Sequence, residues 1–545
     1  MRRIEKKDVF PAVAISLSLY FFLLIYAPLT IYFNNKGEFQ FDVYNILQSM
    51  VPLFAMASIA SSLVLLLILA LNNKAFPVCL GILCAAFVAL YIQGEFFSNY
   101  IPLLNGADID WSKYPLQRLI SILIWTISFL GFGVLVYLKK EKAKKIVTNI
   151  GAISLAFLIL SVSFTGIITG GFKNKRDVAC SDSDILMMSQ NKNLVILLLD
   201  MLDADLFSQS LEEHPEYSKI FEDFTYYDNV VCGYPMTMRA IPLFLSGDWH
   251  ENDEPYETYC KNVFEKAQLF EELKSDSCKM GFYSPDFIEY NSDSGLFDNV
   301  STVERIEHPA DFVKMQLMLA GLKTFPHDLK RYCNLTSENI LWDSKMTLTN
   351  GSEYYLYSNQ FVYNDLRNKN VEIVKENCFR FIYTYGAHEP FITNGSIEEI
   401  ENGTYNDAIA SSMTITKTYL EKLKEAGVYD NTAIVVMADH GYNGEEMVGR
   451  QNPVLFIKGI EEKHEMCTSS IPISHVDMPE AFINLYEGKT ENEVFILDEI
   501  GQRNRRFLSY YGSVESELTE YMQIGWAADE ETMIPTGVVY PEYKG

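Results

Sequence analysis

The chain has 545 residues, too many for one compact domain of about 100–200 residues, and 48% of them are hydrophobic. Residues 1–171 carry 13 Lys and Arg against 8 Asp and Glu, whereas the remainder carries 31 against 63. This apolar, slightly basic third before a strongly acidic remainder excludes a simple soluble enzyme, a disordered chain and a collagen-like fibre. The net charge of −27 argues against a nucleic-acid partner, because phosphate backbones bind clustered Lys and Arg.

Five apolar runs without a charged residue occupy the first third. They are Phe10–Phe33, Val51–Leu71, Phe76–Ile92, Leu119–Leu138 and Ile150–Ile168. A helix rises 1.5 Å per residue, so about 20 apolar residues cross a hydrocarbon core of about 30 Å. The first run is too long for a cleaved signal peptide, and four more follow it. The sequence therefore predicts a five-helix transmembrane domain at residues 1–170 of a multi-pass protein of the cell membrane.

Two basic clusters set the predicted orientation of these helices. Met1–Lys7 precedes the first run, and Lys139–Lys145 follows the fourth. Lys and Arg accumulate on the cytoplasmic side of a membrane, and five spans place both clusters there. The odd number of spans then predicts that everything after Ile168 is extracytoplasmic.

A polar, turn-rich segment at residues 171–190 is predicted to be a linker. Beyond it, strand-like runs alternate with helical stretches, of which Ala408–Ala426 is the clearest and ends at Gly427. The strand-like runs are Asn193–Asp200, Cys378–Tyr385, Ala433–Met437 and Pro453–Ile457. This alternation predicts an α/β domain at residues 191–545 with a mostly parallel central sheet.

Three of the strand-like runs lead into side chains that can bind metal or transfer protons. Asp200 ends the first run, His388 follows the second, and Asp439 and His440 follow the third. A single Asp after a strand is usually a turn or cap residue. In open α/β sheets, however, ligands bind beyond the carboxyl ends of the strands. Together these residues predict a carboxylate and imidazole cluster of the kind that suits Zn²⁺ or Mn²⁺.

The order of these motifs resembles the alkaline phosphatase/sulfatase superfamily: Asp200 closing a strand, then a threonine-initiated segment, then Asp439-His440-Gly441 late in the chain. With the five-helix anchor, the resemblance narrows to lipoteichoic acid synthase-like and phosphoethanolamine transferase-like enzymes. It implies an alkaline phosphatase-like fold for the α/β domain, which would be the catalytic domain.

The resemblance also implies a nucleophile. In that family, the nucleophile lies a few residues before a proline and ahead of a Ser/Thr-Gly pair. Thr237 precedes Pro242 by five residues and Ser246-Gly247 by nine, which matches this pattern. The alternative is an ordinary threonine at a helix N-terminus. We expect Thr237 to be the nucleophile.

By the same resemblance, Asp200, Thr237, Asp439 and His440 would hold one divalent metal ion, manganese or zinc, and a second ion is left open. Metal coordination favours the alkoxide of a threonine hydroxyl, which is otherwise a poor nucleophile. The same ion withdraws charge from a phosphoryl oxygen in the transition state.

Three further residues have roles that the resemblance suggests less directly. His388 is expected near the transferred phosphate, where it would protonate the leaving group or stabilise charge. His475, in Ser474-His475-Val476-Asp477, would ligate a second metal or bind phosphate. Arg239 would pair with a phosphate oxygen, or else be a solvated charge on a helix.

The same motifs separate phosphoryl transfer from sulfate ester hydrolysis. Sulfatases convert a Cys or Ser in a Cys/Ser-x-Pro-x-Arg motif to formylglycine. Cys232 is followed by Gly-Tyr-Pro-Met, so the proline is one position late and the arginine is absent. Because Thr237 cannot become formylglycine, phosphoryl transfer is preferred.

The sequence therefore predicts a membrane-anchored phosphotransferase that works through a phospho-threonine. Its donor would be a phospholipid that supplies glycerol phosphate or phosphoethanolamine, and its acceptor an envelope glycan or lipid. The alternatives are an extracytoplasmic phosphodiesterase or phosphatase, a sulfatase-like hydrolase, and a catalytically silent membrane sensor.

Overall fold

The computed structural model describes residues 6–36, 39–101, 109–172, 177–291, 295–444, 446–496 and 503–543. The chain forms two compact units, residues 1–177 with 304–347, and residues 178–303 with 348–545. The sequence predicted a division near residue 170, but the structure also groups residues 304–347 with the N-terminal helices. Residues 1–5 of the basic cluster Met1–Lys7 and residues 173–176 of the predicted linker lie outside the described residues.

The first unit contains five helices long and apolar enough to cross a membrane. They are Asp8–Asn34, Val43–Leu71, Phe76–Phe96, Pro115–Leu138 and Lys142–Ile168. Each contains one of the predicted apolar runs, so the predicted helices are confirmed. Below they are called the first to fifth apolar helices. The first includes a π-helical turn at Phe22–Tyr26. Residues 304–347 add the helices Pro309–Thr324, His327–Lys330 and Ser337–Asp343.

The second unit is built around a seven-stranded sheet. In chain order its strands are β1 Asn193–Leu199, β2 Thr225–Tyr227, β3 Lys279–Tyr283, β4 Cys378–Thr384, β5 Thr432–Met437, β6 Leu455–Lys458 and β7 Cys467–Ser469. In space their order is β7-β2-β6-β5-β1-β4-β3. The strands β5, β1, β4 and β3 are parallel neighbours, and β6 runs antiparallel between β5 and β2. The prediction of an α/β domain with a mostly parallel central sheet is confirmed.

The sequence of β1 explains why this strand lies at the centre of the sheet. Successive side chains of a strand point to opposite faces, and all seven residues of β1 are buried. Leu194, Ile196 and Leu198 join the hydrophobic cluster on one face, whereas Val195, Leu197 and Leu199 join the cluster on the other. A continuous apolar run is what a parallel strand covered on both faces requires.

Helices cover both faces of the sheet, and the other strands of the chain form smaller sheets. The helices are Ala204–Glu213, Thr237–Ser246, Tyr256–Lys266, Gln268–Ser275, Asn359–Asn368, Tyr405–Glu425, Met478–Tyr486 and Glu491–Val494. The remaining strands are Val178–Cys180, Met187–Ser189, Val230–Val231, Val300–Ile306, Met346–Leu348, Glu372–Val374, Ile473–Ser474, Arg505–Ser509, Leu518–Gln523 and Met533–Tyr540. The predicted helix Ala408–Ala426 is observed as Tyr405–Glu425. It begins three residues earlier because Thr404 caps its first turn in a capping box.

Candidate active site and metal centre

Adjacent strands of the central sheet bring the candidate ligands together. Asp200 follows β1 directly, and Asp439 and His440 follow β5 after one intervening residue. Because β1 and β5 are parallel neighbours, their carboxyl ends lie at the same edge of the sheet. One ligand atom from each of the three residues lies within 4.8 Å of the others.

The hydrogen bonds of His440 determine which of its ring nitrogens faces the carboxylates. Its Nδ1 lies 2.8 Å from the carbonyl oxygen of Gly441. A carbonyl oxygen can only accept, so Nδ1 carries the proton and Nε2 presents a lone pair. Nε2 lies 3.7 Å from Asp200 Oδ1 and 3.7 Å from Asp439 Oδ2. Both oxygens are buried without a hydrogen-bond partner among the described residues.

This arrangement fits a metal ion. Three lone pairs that face one another in a buried site repel each other unless a proton or a metal cation lies between them. Ligand atoms bound to one tetrahedral zinc at 2.0–2.2 Å lie about 3.4 Å apart, close to the spacing found here. Two carboxylates and one imidazole form a donor set suited to Zn²⁺ or Mn²⁺.

Thr237 is the first residue of the helix Thr237–Ser246, so its position is fixed by the start of that helix. Its Oγ1 lies 3.5 Å from Asp200 Oδ2 and donates to it. The same carboxylate oxygen accepts a hydrogen bond from the hydroxyl of Tyr383, on β4. The backbone N–H of Met201 donates to Asp439 Oδ1 at 3.1 Å. The threonine hydroxyl therefore lies at the edge of the carboxylate and imidazole cluster.

Burial and mutual repulsion shift the pKa values of the two carboxyl groups in opposite directions. Burial, followed by the charge of Asp439, raises the pKa of Asp200 well above its usual value. Burial also acts to raise the pKa of Asp439, but His440, the Thr237 hydroxyl and the Met201 N–H outweigh it and lower that pKa. Burial lowers the pKa of His440, which keeps its imidazole neutral and able to bind metal.

His388 is close enough to interact electrostatically with Asp439 and His440, but it lies outside the group of three candidate ligands. It is half-buried, and its ring lies 5.2 Å from that of Tyr385. Its Nδ1 donates to the carbonyl oxygen of Glu389 at 2.6 Å, so Nε2 carries the lone pair. Burial lowers the pKa of His388 to about 4. In its neutral form it is therefore a proton acceptor at Nε2.

His475 is fully buried, and neither ring nitrogen has a hydrogen-bond partner among the described residues. Its ring lies edge-on to Phe244 at 5.4 Å, and burial lowers its pKa to about 3. It does not belong to the group of three ligands. A role in a second metal site or in phosphate binding stays a prediction.

Arg239 lies two residues after Thr237 but is used differently. It is fully buried, which excludes the solvated helix charge considered from the sequence. One terminal nitrogen donates to the carbonyl oxygen of His250 at 2.7 Å. The other donates to Asn252 Oδ1 at 2.6 Å and to the carbonyl oxygen of Val514. The described structure thus gives Arg239 contacts within the fold in place of the expected phosphate contact.

Three residues of this region were missed in the sequence. Tyr383 lies within an apolar strand, where a tyrosine is normally interpreted as part of the hydrophobic core. Gly386 has φ +57°, and a Cβ on it would lie 2.4 Å from the backbone nitrogen of Asp200. Arg450 is half-buried, and its charge acts on His388 and His440. Of these three residues, only Arg450 could have been found from the sequence, because it is a basic residue ten positions after His440 in an acidic domain.

Comparisons with known proteins identify the family to which the α/β domain belongs. The sulfatase family model matches residues 192–519. No curated protein matches the chain at a significant level. Among solved structures, Ps i-CgsB in complex with k-i-k-neocarrahexaose is 14% identical, with a TM-score of 0.41, over 62% of this chain and 82% of that one.

Two further solved structures are similar at the same level. A protein in the alkaline phosphatase superfamily from Vibrio parahaemolyticus is 14% identical, with a TM-score of 0.37, over 66% of this chain and 80% of that one. The lipoteichoic acid synthase LtaP from Listeria monocytogenes is 14% identical, with a TM-score of 0.36, over 67% of this chain and 89% of that one.

The α/β fold places candidate carboxylate and imidazole ligands beyond the ends of its central strands. The family match covers more than half of the residues. The chain belongs to the sulfatase family.

Proposed function

We propose that this protein is a membrane-anchored, metal-dependent phosphotransferase. It would move glycerol phosphate or phosphoethanolamine from a phospholipid to a hydroxyl group of an envelope glycan or lipid, through a phospho-threonine intermediate. The observation that carries the proposal is the position of the Thr237 hydroxyl, 3.5 Å from Asp200 in a cluster of unpaired ligand atoms. A threonine cannot become the formylglycine of a sulfatase, which favours phosphoryl over sulfuryl chemistry.

Asp200, Thr237, Asp439 and His440 would hold the divalent ion, manganese or zinc. When bound, the ion supplies Lewis acidity, which lowers the pKa of the hydroxyl and withdraws charge from the phosphoryl group. The helix that begins at Thr237 adds a positive dipole end, which favours an anion beside the nucleophile.

In the first step, the hydroxyl of Thr237 loses its proton to solvent and its oxygen forms a bond to phosphorus. The bond between phosphorus and the lipid alcohol oxygen breaks, and the alcohol leaves with a proton from water. Tyr383 and Met201 keep the carboxylates of Asp200 and Asp439 in place by hydrogen bonding. The head group is then held on the threonine.

In the second step, the acceptor hydroxyl attacks the phospho-threonine, the Oγ–phosphorus bond breaks, and the Thr237 oxygen regains a proton from solvent. His388 Nε2 would take the proton of the acceptor, because Nδ1 is committed to Glu389 and Nε2 is left with its lone pair. This differs from the expected protonation of the leaving group. A neutral imidazole with this tautomer has no proton to donate at Nε2.

A hydrolase is the second candidate, because the family model that matches the chain is that of the sulfatases. Water would then replace the acceptor hydroxyl in the second step, and the protein would be a phosphodiesterase or phosphatase. The convergence of Asp200, Thr237, Asp439 and His440 disfavours a catalytically silent sensor.

The test uses the purified full-length chain with Mn²⁺ or Zn²⁺ and phosphatidylglycerol or phosphatidylethanolamine labelled in the head group. We expect label on the protein before it reaches an acceptor, and no labelled protein from Thr237→Ala. Thr432→Ala is the matched control, because this buried threonine donates to Val428 at the opposite end of the sheet. Activity retained in Thr237→Ala would contradict the proposal, and label released only as free head group would favour the hydrolase.

A further inference from the structure

Residues 304–347 differ in charge from the acidic part of the chain in which they occur. They contain six Lys and Arg and six Asp and Glu, whereas residues 172–545 together carry 31 against 63. The stretch Met315–Leu322 within the helix Pro309–Thr324 has no charged residue. With 16 residues this helix is about 24 Å long, too short to cross a hydrocarbon core of about 30 Å.

This segment packs on the apolar helices of the same unit. Lys323 lies at the last turn of the helix Pro309–Thr324 and forms a 3.0 Å ion pair with Glu95, near the end of the third apolar helix. The Lys323 ammonium also donates to Thr30 Oγ1 at 3.1 Å, and the hydroxyl of Tyr26 donates to Glu95 at 3.1 Å. These contacts fix the segment to the first and third apolar helices. Polar pairs are expected where such helices meet the polar layer of a bilayer.

Further contacts attach the segment to other parts of the same helical unit. Phe312 lies edge-on to Phe41 at 5.0 Å. The backbone N–H of His327 donates to Ser121 Oγ at 3.0 Å, and Asp328 pairs with Arg118 at 2.8 Å, both partners lying on the fourth apolar helix. The segment is therefore part of the helical unit along its length.

Large apolar side chains of the segment nevertheless remain exposed. Tyr332 is 68% exposed, Trp342 and Leu329 are each 47% exposed, and Leu317 is 40% exposed. The residues that hold the segment, Thr30, Glu95 and Arg118, lie near the ends of their apolar helices, where an inserted helix meets the bilayer surface. Trp and Tyr concentrate at that level, because their rings prefer the layer between head groups and acyl chains.

We propose that residues 309–343 form a second membrane-contacting element, which lies in the interfacial layer of a phospholipid bilayer with Leu317, Leu329, Tyr332 and Trp342 in lipid. The element buries apolar surface without spanning, as interfacial helices do. It rests on insertion of the five apolar helices and is independent of the proposed chemistry.

The test is quenching of tryptophan fluorescence in the full-length chain reconstituted in phosphatidylcholine vesicles with brominated acyl chains. Subtracting the emission of Trp342→Phe from that of the wild type isolates the emission of Trp342. Trp125→Phe does the same for a tryptophan of the fourth apolar helix, and Trp526→Phe for one in the second unit that is 41% exposed. Leu329→Trp places a second probe in the segment, so the test does not depend on whether the Trp342→Phe variant folds.

We expect brominated lipid to quench the emission of Trp342 and of the Leu329→Trp probe at least about twofold, while aqueous iodide leaves both nearly unchanged. Trp526 is expected to show the reverse. If Trp125 is quenched by brominated lipid while both segment probes respond only to iodide, the segment faces water or a protein partner and the proposal is overturned. If Trp125 itself escapes lipid quenching, the apolar helices are not inserted, and the proposal fails with them.

Discussion

Thr237 and Arg239 lie two residues apart in one helix, yet they belong to two buried polar regions of opposite character. Around Thr237, lone pairs of Asp200, Asp439 and His440 face one another, and two carboxylate oxygens have no partner among the described residues. Around Arg239, both terminal nitrogens donate to oxygen atoms of the fold. The rings of Tyr234 and Tyr510 lie 5.5 and 5.0 Å from its guanidinium.

The difference shows how buried polar groups can be assigned. A buried group whose hydrogen-bonding capacity is largely used stabilises the fold, and its loss leaves its partners unsatisfied. A buried group left without a partner costs stability, so a cluster of such groups that face one another indicates a ligand that completes it. Substitutions in the first region should therefore lower activity and leave the fold intact, whereas substitutions in the second should lower stability.

The largest expected effect is that of Asp439→Asn. The amide removes one negative charge from the proposed ligand set and should lower the phosphoryl transfer rate about 10³-fold or more, while the chain stays folded. Bound metal measured by mass spectrometry should fall from about one ion per chain to a small fraction of that. Asp430→Asn is the control, because Asp430 pairs with Lys463 in an exposed position. Full activity and full metal content in Asp439→Asn would show that the cluster is structural.

Arg239→Met should produce the opposite result. Its loss removes the hydrogen bonds that it donates to three oxygen acceptors, which we expect to lower the free energy of unfolding by about 3 kcal/mol. Chemical denaturation of the detergent-solubilised chain, followed by tryptophan fluorescence, measures this change. Thr237→Ala should change the same quantity by less than about 1 kcal/mol. A stable Arg239→Met chain that has lost activity would instead return Arg239 to the phosphate role predicted from the sequence.

The Arg450→Gln substitution tests whether a residue outside the proposed metal ligands contributes to activity. Burial lowers the pKa of Arg450, and nearby Glu389 and Tyr442 act to raise it, so it stays a cation beside the site. Arg450→Gln should lower kcat/KM about 10–100-fold, because one charge-assisted contact to a phosphate contributes about 1.5–3 kcal/mol. Metal content should not change. Arg367→Gln, at an exposed helix position, is the control. An unchanged kcat/KM would exclude a substrate contact.

The sequence predicted what depends on local pattern. The apolar runs predicted the five helices, and the run before Asp200 predicted the central strand, because both signals are periodic and continuous. It did not predict that residues 304–347 pack with the apolar helices, because Met315–Leu322 is no longer than an ordinary core segment. The roles of Tyr383 and Gly386 depend on which strands are neighbours, and the two terminal nitrogens of Arg239 find acceptors only after distant loops have folded around it.

The smallest expected effect is that of Lys458, a buried titratable cation that, like Arg239, donates its hydrogen bonds to oxygen atoms of the fold. It is fully buried, and its ammonium donates to the carbonyl oxygens of Tyr429, Thr432 and Gly459. Burial lowers its pKa from 10.5 to about 8. Below pH 8 both states are charged and the cost of burial is constant. Between pH 8 and 10.5 the folded state has released a proton that the unfolded state still holds, so stability rises with pH.

The difference between wild type and Lys458→Met isolates this contribution from that of other titrating groups. From pH 8 to pH 9 the wild type should gain about 1 kcal/mol of unfolding free energy relative to the variant. Denaturation at the two pH values measures it. Equal slopes in the two proteins would mean that Lys458 keeps an ordinary pKa, because its hydrogen bonds offset the cost of burying its charge. At Asp200, by contrast, the cost of burying the charge is offset less fully before metal binds.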